Sequence, residues 1–327
     1  MSLDNDRTYN ILVTGVGAIV GYGIINSLRS SHFTVRIIGM DIYYDAVGQY
    51  WCDKFIQSIP AADDDYLDFI KKVIDEEAID LVFFGTEQEI YRINDARAAL
   101  GSIMEKMVIN KPELLVLSRD KWLTREYLLQ HDLADLAIPS VIDGSYEEIA
   151  DRLGVPFLIK PRSSYATKGI VTIFDKEEFD FYRPRVSGGF MAQELIGDNE
   201  HEYSVGVFGL GDGSYSSRIM FKRKLSQEGA TAKAWSYEDS ELIDCIDRLT
   251  AAFQPVGPTN YQFRYHDGHY MLLEVNPRIS SSTSIRSKLG HNEAEMCLQY
   301  FLEHAVPTAF VEKGAAFRFI DEVMVYE

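Results

Sequence analysis

The sequence has few cysteines, and their spacing suggests no shared site. The 327 residues include only Cys52, Cys245 and Cys297, which lie far apart and form no CxxC pair. An odd number of dispersed cysteines argues against a disulfide framework and against a zinc site. Such a chain is typical of a reducing compartment, so we expect a cytoplasmic protein.

Long apolar runs and positive charge are also scarce. No apolar run approaches the roughly 20 residues that a membrane-spanning helix needs, and residues 1–7 lack the apolar core of a secretory signal. The 32 Lys and Arg residues face 50 Asp and Glu residues, for a formal net charge of -18. Because a surface this acidic repels nucleic acid and anionic lipid, the sequence predicts no nucleic-acid and no membrane partner. A nucleotide ligand stays compatible, since a triphosphate is bound locally by a few lysines, backbone N–H groups and metal ions.

The familiar catalytic signatures are missing. The chain has no GxxxxGK[ST] phosphate loop, no HExxH, no GxSxG and no Cys/His cluster, and its histidines show no metal-ligand spacing. These absences argue against P-loop nucleotide hydrolases, zinc proteases and serine hydrolases of the common types. What remains for chemistry is a set of Lys, Glu, Gln and Asn residues at the ends of predicted strands.

Strand and helix patterns alternate over the first 112 residues. Apolar runs predict strands at 9–14, 35–40, 80–84 and 108–109, and helices at 24–29 and 66–77. This alternation is typical of a doubly wound parallel α/β unit. A chain of this length suggests two or three packed units, and we place them at 1–112, 113–188 and 189–327. The second and third units read as mixed α+β.

Glycines follow the first predicted strand. Gly15, Gly17 and Gly21 precede a helix, and Asp41 closes the second strand. Alone, this pattern predicts a dinucleotide site with Asp41 on a ribose, and thus an NAD(P)-dependent oxidoreductase. The spacing GxGxxxG is, however, one residue longer than the NAD pattern. The helix N-terminus would still favour an anion such as a carboxylate.

Two further polar groups each have two interpretations. The three residues after the third strand could hold a substrate amine or cap a helix: Thr86, Glu87 and Glu89. The basic island of residues 222–224 could be a solvated strand end, or it could face a phosphate or a carboxylate.

The densest polar cluster lies between residues 262 and 284. An Asp-Gly pair between two apolar runs predicts a tight hairpin, and Glu274 and Asn276 lie two apart on its second strand, so they share a face. Gln262 comes from the first strand, and the three oxygens converge beside Arg278. One carboxylate and two amides suit magnesium shared with phosphates, and the arginine can hold a phosphoryl group or a carboxylate. The alternative is a hairpin with a polar edge, which the preceding apolar run YMLLEV disfavours.

This cluster resembles the metal-binding strand of the ATP-grasp superfamily, and further motifs of that superfamily occur in order over residues 115–310. LIKPR resembles the strand whose lysine contacts the α- and β-phosphates, SSYATKGI the phosphate-covering loop, and AQELI the hinge between two lobes. The resemblance implies that Glu194 accepts from the adenine amino group, that Glu202 holds the ribose, and that the hinge backbone contacts the base. The implied nucleotide-binding residues are Lys121, Lys160, Ser163, Ser164, Lys168, Gly169, Glu194, Leu195, Ile196 and Glu202.

Gln262 narrows the resemblance to the carbamoyl-phosphate-synthetase-like branch and the carboxylate–amine ligases grouped with it, since many other members carry an acid there. The chain departs from the large synthetase in having one grasp unit, and its loop has Ser-Ser-Tyr-Ala where many members have glycines. The resemblance implies a Rossmann-like pre-ATP-grasp domain (1–112), followed by the central lobe (113–188) and the C-terminal lobe (189–327) of an ATP-grasp fold. It also implies ATP and two Mg²⁺ ions, or Mn²⁺, at Gln262, Glu274 and Asn276.

The function implied is an ATP-dependent carboxylate–amine ligase that forms an acyl phosphate and releases ADP and phosphate. Lys160 would neutralise the phosphates, and Arg278 would stabilise charge on the transferring group. The implied partners are a small carboxylate and a small amine, and a homodimer is a working expectation. Two alternatives stay open, the NAD(P)-dependent oxidoreductase and a non-catalytic ATP-binding protein. The first gives the cluster no role, and retention of every metal position argues against the second.

Overall fold

Three β-sheets follow one another along the chain. The computed structural model describes residues 7–163, 169–187, 189–198, 200–227 and 229–326. The first sheet is parallel with strand order β3-β2-β1-β4. The elements of this first part are β1 (Thr8–Thr14), α1 (Ile19–Arg29), β2 (Thr34–Asp41), β3 (Lys54–Gln57), α2 (Tyr66–Glu76), β4 (Leu81–Phe83), α3 (Glu87–Asp95), α4 (Arg97–Leu100) and α5 (Pro112–Arg119).

The parallel sheet is buried on both faces. Along β1, Ile11 and Val13 join one apolar cluster with α1, while Leu12 joins the opposite cluster with α2. Side chains alternate across a strand, so a continuous apolar run is what a doubly covered strand requires. This explains why β1 reads as an unbroken apolar segment.

Two local predictions for the first part differ from the structure. The strand expected at 108–109 is absent, and only a single bridge joins Met107 to Val82. The helix expected at 24–29 begins earlier, at Ile19, inside the glycine run. Gly21 permits this start, because a Cβ there would lie 2.1 Å from the Gly15 carbonyl oxygen.

The middle sheet is antiparallel with order β5-β8-β6-β7. Its part of the chain contains α6 (Lys121–Gln130), β5 (Ser140–Val141), α7 (Tyr146–Leu153), β6 (Phe157–Pro161), β7 (Val171–Ile173), α8 (Lys176–Tyr182) and β8 (Phe190–Glu194). The pairing of β8 with β5 and β6 differs from the boundary at residue 188, which assigned that strand to the third unit. A hydrogen-bonded strand belongs with its sheet, and the middle unit therefore continues at least to Glu194.

The third sheet is the largest, with order β13-β12-β9-β10-β11-β14. Its elements are β9 (Glu202–Leu210), β10 (Tyr215–Leu225), β11 (Thr231–Ser236), α9 (Ser240–Phe253), β12 (Val256–His266), β13 (His269–Asn276), α10 (Thr283–Lys288), α11 (Glu293–Cys297) and β14 (Ala315–Phe317). The predicted hairpin is confirmed, because Asp267 and Gly268 turn between β12 and β13 with φ of 49° and 85°. Both residues have the positive φ that a type I′ turn needs.

The helices of the described residues are short. The longest, α9, has 14 residues. Within the part of the chain that the structure describes, no helix combines the length and the apolarity needed to cross a membrane.

Candidate functional site

The three predicted oxygen ligands come together on the β12–β13 hairpin. Gln262 lies directly opposite Glu274 in the strand register, and such cross-strand neighbours share a face. Asn276 is two residues further along β13 and donates from Nδ2 to Glu274 Oε2 at 3.2 Å. Among the described residues, no three His, Cys, Asp or Glu side chains form a metal-binding group. The predicted set offers one carboxylate and two amide oxygens, which are hard ligands of the kind that magnesium prefers.

Lys160 is a buried cation without a carboxylate partner among the described residues. Only 6% of the residue is exposed, and its Nζ donates to the amide oxygen of Gln193 at 2.6 Å. Burial, reinforced by the positive charge of Lys121, lowers the pKa of Lys160 to about 7, although Glu274 acts in the opposite direction. The influence of Glu274 on Lys160 indicates that the end of β6 lies near β13, and the space between them is called the cleft below. An anion entering this cleft would supply the counter-charge that Lys160 lacks.

The start of α6 is fixed to the same strand. Asp120 caps the helix by accepting from the Trp122 N–H at 2.9 Å, and it pairs with the Arg162 guanidinium at 2.6 Å. Burial alone would raise the pKa of Asp120, but these hydrogen bonds outweigh it and lower the pKa below its usual value. The backbone N–H of Lys121 also donates to the Arg162 carbonyl oxygen at 3.0 Å. These contacts fix the start of α6, which carries Lys121, to the end of β6, which carries Lys160. Both lysines are predicted to contact phosphates.

The predicted phosphate loop is only partly visible. Ser164 and Lys168 lie outside the described residues. Ser163 lines a cavity together with Glu274 and Asn276. Gly169 has φ of 77°, a conformation that favours glycine.

The predicted hinge lies at the end of β8. The backbone N–H of Glu194 donates to the Pro139 carbonyl oxygen at 3.0 Å, and its half-buried carboxylate lies 3.9 Å from His266 Nε2. Leu195 is also half-buried, whereas Ile196 is buried, and the Ile196 carbonyl oxygen accepts from Arg264 Nη1 at 3.2 Å. The adenine contacts assigned to these residues stay predictions.

Glu202 is a buried strand residue, although it follows the polar stretch DNEH, which is typical of a solvated loop. It is 4% exposed at the start of β9, where its Oε1 accepts from Arg223 Nη2 at 2.8 Å and from Nε at 3.2 Å. Its other oxygen lies 3.4 Å from Arg264 Nη2. Burial of this carboxylate is therefore compensated by two arginines. Its role on a ribose stays a prediction.

Arg223 is a site residue that the sequence reasoning missed. It is 4% exposed on β10 and donates from Nη2 both to Glu202 and, at 2.8 Å, to Gln262 Oε1. Its Nη1 donates to Thr231 Oγ1 at 3.2 Å. The signal was present, since Arg223 is the middle residue of the basic island and alternates in facing with Lys222 and Lys224. Of the two interpretations of the island, neither anticipated that its central residue bridges two predicted ligand-binding side chains.

Arg278 is held by the N-terminal part of the chain. Its guanidinium forms an ion pair with Glu87, with Nε 3.1 Å from Oε1, and also donates to Asn276 Oδ1 at 3.2 Å. Glu87 is the first residue of α3, so this pair joins the N-terminal part of the chain to the end of β13. Arg278 is positioned beside the predicted metal ligands, and its role on a transferring phosphoryl group stays a prediction.

The glycine loop does not present a free N–H at Gly17. Asp41 Oδ2 accepts from the Gly17 N–H at 2.8 Å, and its Oδ1 accepts from the Tyr43 N–H at 3.0 Å. An anionic side chain of the protein therefore already occupies the position expected for a bound carboxylate. The carboxylate of Asp41 at the end of β2 lies close to the N-terminus of α1, where backbone N–H groups attract a negative charge.

The residues after β4 take the capping role that was one of their two interpretations. Thr86 Oγ1 accepts from the Glu89 N–H at 3.4 Å and caps α3. The Glu89 side chain is buried and accepts hydroxyl hydrogen bonds from Tyr66 at 2.9 Å, from Thr86 at 2.7 Å and from Thr14. Although these bonds favour its charged form, burial dominates and raises the pKa of Glu89.

Two cavities lie between the N-terminal part of the chain and β13 or within that N-terminal part. The first, about 390 Å³, lies between α3, the end of α5 and the strand residues Glu274 and Asn276. The second, about 640 Å³, lies at the glycine loop. They adjoin each other, because Ala61, Ala62 and Gln88 line both.

Comparisons with known proteins find one family model and several curated relatives that are similar to this chain. Residues 188–322 match the model of a family described as ATP-grasp in the biosynthetic pathway with Ter operon. The carbamoyl phosphate synthase large chain of Methanosarcina mazei is 24% identical over 244 residues, which cover 67% of this chain and 22% of that protein. The chain thus spans about a fifth of the length of this relative.

Solved structures resemble almost the whole chain. N5-carboxyaminoimidazole synthetase from Staphylococcus aureus, complexed with ADP, gives a TM-score of 0.71 at 16% identity, over 94% of this chain and 81% of that one. The biotin carboxylase beta-gamma-ATP complex from Campylobacter jejuni gives a TM-score of 0.73 at 13% identity, over 92% and 73%. At these identities the likeness shows a shared mixed α/β fold.

Proposed function

We propose that the chain is a member of the ATP-grasp superfamily and that it acts as an ATP-dependent ligase, which joins a small carboxylate to a small amine through an acyl phosphate and releases ADP and phosphate. The observation that carries this proposal is Lys160, a buried cation with only an amide partner among the described residues, facing the cleft that holds Glu274. A triphosphate bound there would supply the missing anion and place its terminal phosphate beside the β12–β13 hairpin.

The relatives support the nucleotide. The S. aureus synthetase and the C. jejuni carboxylase were solved as ADP and beta-gamma-ATP complexes. We propose that Lys121, Lys160 and the loop at 163–169 bind the phosphates, and that residues 194–196 and Glu202 bind adenosine. Gln262, Glu274 and Asn276 offer the oxygen ligands that suit Mg²⁺, and the ion would supply positive charge that neutralises the phosphates.

The side chains of the protein would bind and position the substrates, and the reaction would take place between the substrates themselves. A substrate carboxylate oxygen attacks the γ-phosphorus, the bond to the β-phosphate oxygen breaks, and ADP leaves. Arg278, fixed by Glu87, lies beside Asn276 and stabilises the charge on the transferring group. The amine then attacks the acyl carbon and phosphate leaves. No nucleophile from the protein is required, which agrees with the lack of a Ser or Cys triad motif in the sequence.

We further propose that the parallel sheet forms a Rossmann-like pre-ATP-grasp domain, and that the middle and third sheets are the two lobes of the grasp. Their boundaries are proposed at 112 and, from the pairing of β8, after Glu194. The oxidoreductase is not favoured, because the Gly17 N–H that a pyrophosphate would need is bound to Asp41. A homodimer in the cytoplasm stays an expectation, and sedimentation velocity would measure the oligomeric state.

The test is ADP release across a panel of small carboxylates, with and without amines. We expect ADP and phosphate only with the right carboxylate, and a hydroxamate when hydroxylamine replaces the amine, because hydroxylamine traps an acyl phosphate. A stable phosphorylated product would identify a kinase-like variant instead. Formation of AMP and pyrophosphate would contradict the proposal, since it indicates an acyl adenylate.

A further inference from the structure

The cavity beside Glu274 and Asn276 contains a guanidinium group with no partner among the described residues. Resting on the proposed function, we infer that Arg92 and Arg119 bind the substrate carboxylate in this cavity, and that the adjoining acidic cavity at the glycine loop, called the chamber below, receives a positively charged group at the far end of the same molecule. The substrate class is thus a carboxylate with a distal ammonium group.

One face of α3 lines the cavity. Glu87, Tyr91, Arg92 and Asp95 all contribute to its wall, and their three- and four-residue spacings place them on one side of a helix. Glu274 and Asn276 form the opposite side. A ligand bound to this face of α3 therefore lies next to the predicted metal ligands, where a phosphoryl acceptor belongs.

Arg92 has a guanidinium nitrogen that no described residue pairs. Its Nε is buried and makes no hydrogen bond within the part of the chain that the structure describes. A buried N–H left unpaired costs free energy, and more so on a charged group. The planar fork of a guanidinium matches a carboxylate with two parallel hydrogen bonds. A carboxylate in the cavity would satisfy the atom that the protein leaves unsatisfied.

Arg119 supplies a second cation that a ligand can recruit. Its guanidinium lies 4.9 Å from the Tyr91 ring centroid and 3.5 Å from the Asp95 carboxylate, with both partners of that pair more than half exposed. Ion pairs this exposed are weak. The other acids of the wall are Glu87, which Arg278 neutralises, and Glu274, a predicted metal ligand.

Arg278 and the glycine loop are less suited to this role. Arg278 is engaged by Glu87, and the Gly17 N–H at the start of α1 by Asp41. Arg92 has no such protein acceptor. We therefore assign carboxylate binding to α3 and not to Arg278 or the glycine loop, the two positions that the sequence suggested.

The lining of the second cavity indicates which charge the distal group of the substrate carries. Its lining includes Asp41, Asp45 and Glu89 and contains no Lys or Arg. Asp41 is stabilised only by backbone N–H groups and Glu89 only by hydroxyls in the hydrogen bonds described above. Without an opposite charge in its wall, this chamber attracts an ammonium group and repels a second carboxylate.

Three six-carbon acids test both ends: hexanoate, 6-aminohexanoate and hexanedioate, which differ only at the far terminus. Saturation-transfer NMR titrations without ATP measure their affinities and need no turnover. We expect 6-aminohexanoate to bind most tightly and hexanedioate most weakly. Arg92→Gln and, separately, Arg119→Gln should weaken 6-aminohexanoate about tenfold or more, whereas Arg29→Gln on the remote end of α1 should not.

A second variant isolates the chamber. Asp45→Asn should reduce the preference for 6-aminohexanoate over hexanoate and leave hexanoate affinity unchanged. Hexanedioate binding as tightly as 6-aminohexanoate, undetectable binding of all three acids at millimolar concentration, or unchanged affinities in both arginine variants would overturn the inference. Failure of the proposed function is a separate result, namely normal acid binding with no ADP formed from any carboxylate.

Discussion

The glycine-loop chamber and the nucleotide cleft both bury carboxylates, but they compensate them differently. In the chamber, Asp41 and Glu89 accept hydrogen bonds from backbone N–H groups and from hydroxyls. In the cleft, Glu202 is paired with Arg223 and Arg264. Neutral donors leave the chamber with a net negative field, whereas arginines cancel the charge in the cleft. Under the proposed roles, the first region would favour a cation, and the second would accept a polyanion because Lys160 has no carboxylate partner within the described part of the chain.

The difference also predicts unequal costs of mutation. A neutral hydrogen bond contributes about 1 kcal/mol to stability, whereas a buried carboxylate that loses its cation costs about 3–5 kcal/mol. Substitutions in the two regions can therefore be compared directly.

The largest effect is expected for Arg223→Met. The change removes the bonds to Glu202, Gln262 and Thr231, and we expect the free energy of unfolding to fall by about 3–5 kcal/mol. Asp41→Asn in the chamber keeps one acceptor oxygen and should cost only about 1 kcal/mol. Urea denaturation followed by circular dichroism measures both. Equal losses would remove the distinction between the two regions.

Catalysis should depend on the cleft with little change in stability. Glu274→Gln keeps the size of the side chain and removes the charge that holds a metal, so ADP formation should fall by at least about a hundredfold. The exposed Glu312→Gln is the matched control and should be fully active. Near-normal turnover of the Glu274 variant at ordinary magnesium concentrations would mean that the metal is held elsewhere.

Nucleotide binding should take up a proton at Lys160. Because phosphate restores the charged form of a lysine whose pKa lies at about 7, affinity for a non-hydrolysable ATP analogue should fall by up to about tenfold per pH unit above 7. Calorimetry at pH 8 in two buffers of different ionisation enthalpy measures the uptake. Lys160→Met should bind weakly and abolish the uptake, while Lys313→Met should retain it. An uptake that persists in the Lys160 variant would assign the proton to another group.

The same shift affects stability with a definite sign. From pH about 7 to the ordinary lysine value of 10.5 the unfolded chain holds the proton that folded Lys160 has lost. The contribution of Lys160 to the free energy of unfolding therefore rises with pH across that window, and its penalty is fully present below it.

The smallest expected signal is in the chamber. Asp41 already binds the Gly17 N–H, and the acidic wall repels a pyrophosphate, so NADH and NADPH should not bind. Fluorescence titration is sufficient to measure this. Micromolar affinity for either cofactor would revive the oxidoreductase and would show that the chamber accepts anions after all.

Sequence reasoning succeeded where the relevant geometry was local. The two-residue period of a strand and an Asp-Gly turn are enough to bring Gln262, Glu274 and Asn276 to one face. A lysine inside the apolar run PFLIKP likewise predicts a buried cation, and Lys160 is one. Such inferences need only a few neighbouring residues.

Pairings over long separations could not be obtained in this way. Glu87 and Arg278 are 191 residues apart, and no local pattern selects one carboxylate among 50 acidic residues for that arginine. The bond between Arg223 and Glu202 depends on the register of β10 against β9. The strand predicted at 108–109 failed because intrinsic β-propensity is weak without a partner strand along its length.

Arg223 also has a consequence for how ligands would influence one another. One guanidinium connects four neighbouring strands, from Glu202 on β9 and Thr231 on β11 to Gln262 on β12. Under the proposed roles, a ribose hydroxyl bound to Glu202 and a metal bound to Gln262 would each compete with this guanidinium for an acceptor oxygen. Their affinities are then coupled through Arg223, and by thermodynamic reciprocity each ligand changes the binding of the other by the same factor. Nucleotide and metal binding to this protein would then be thermodynamically linked events.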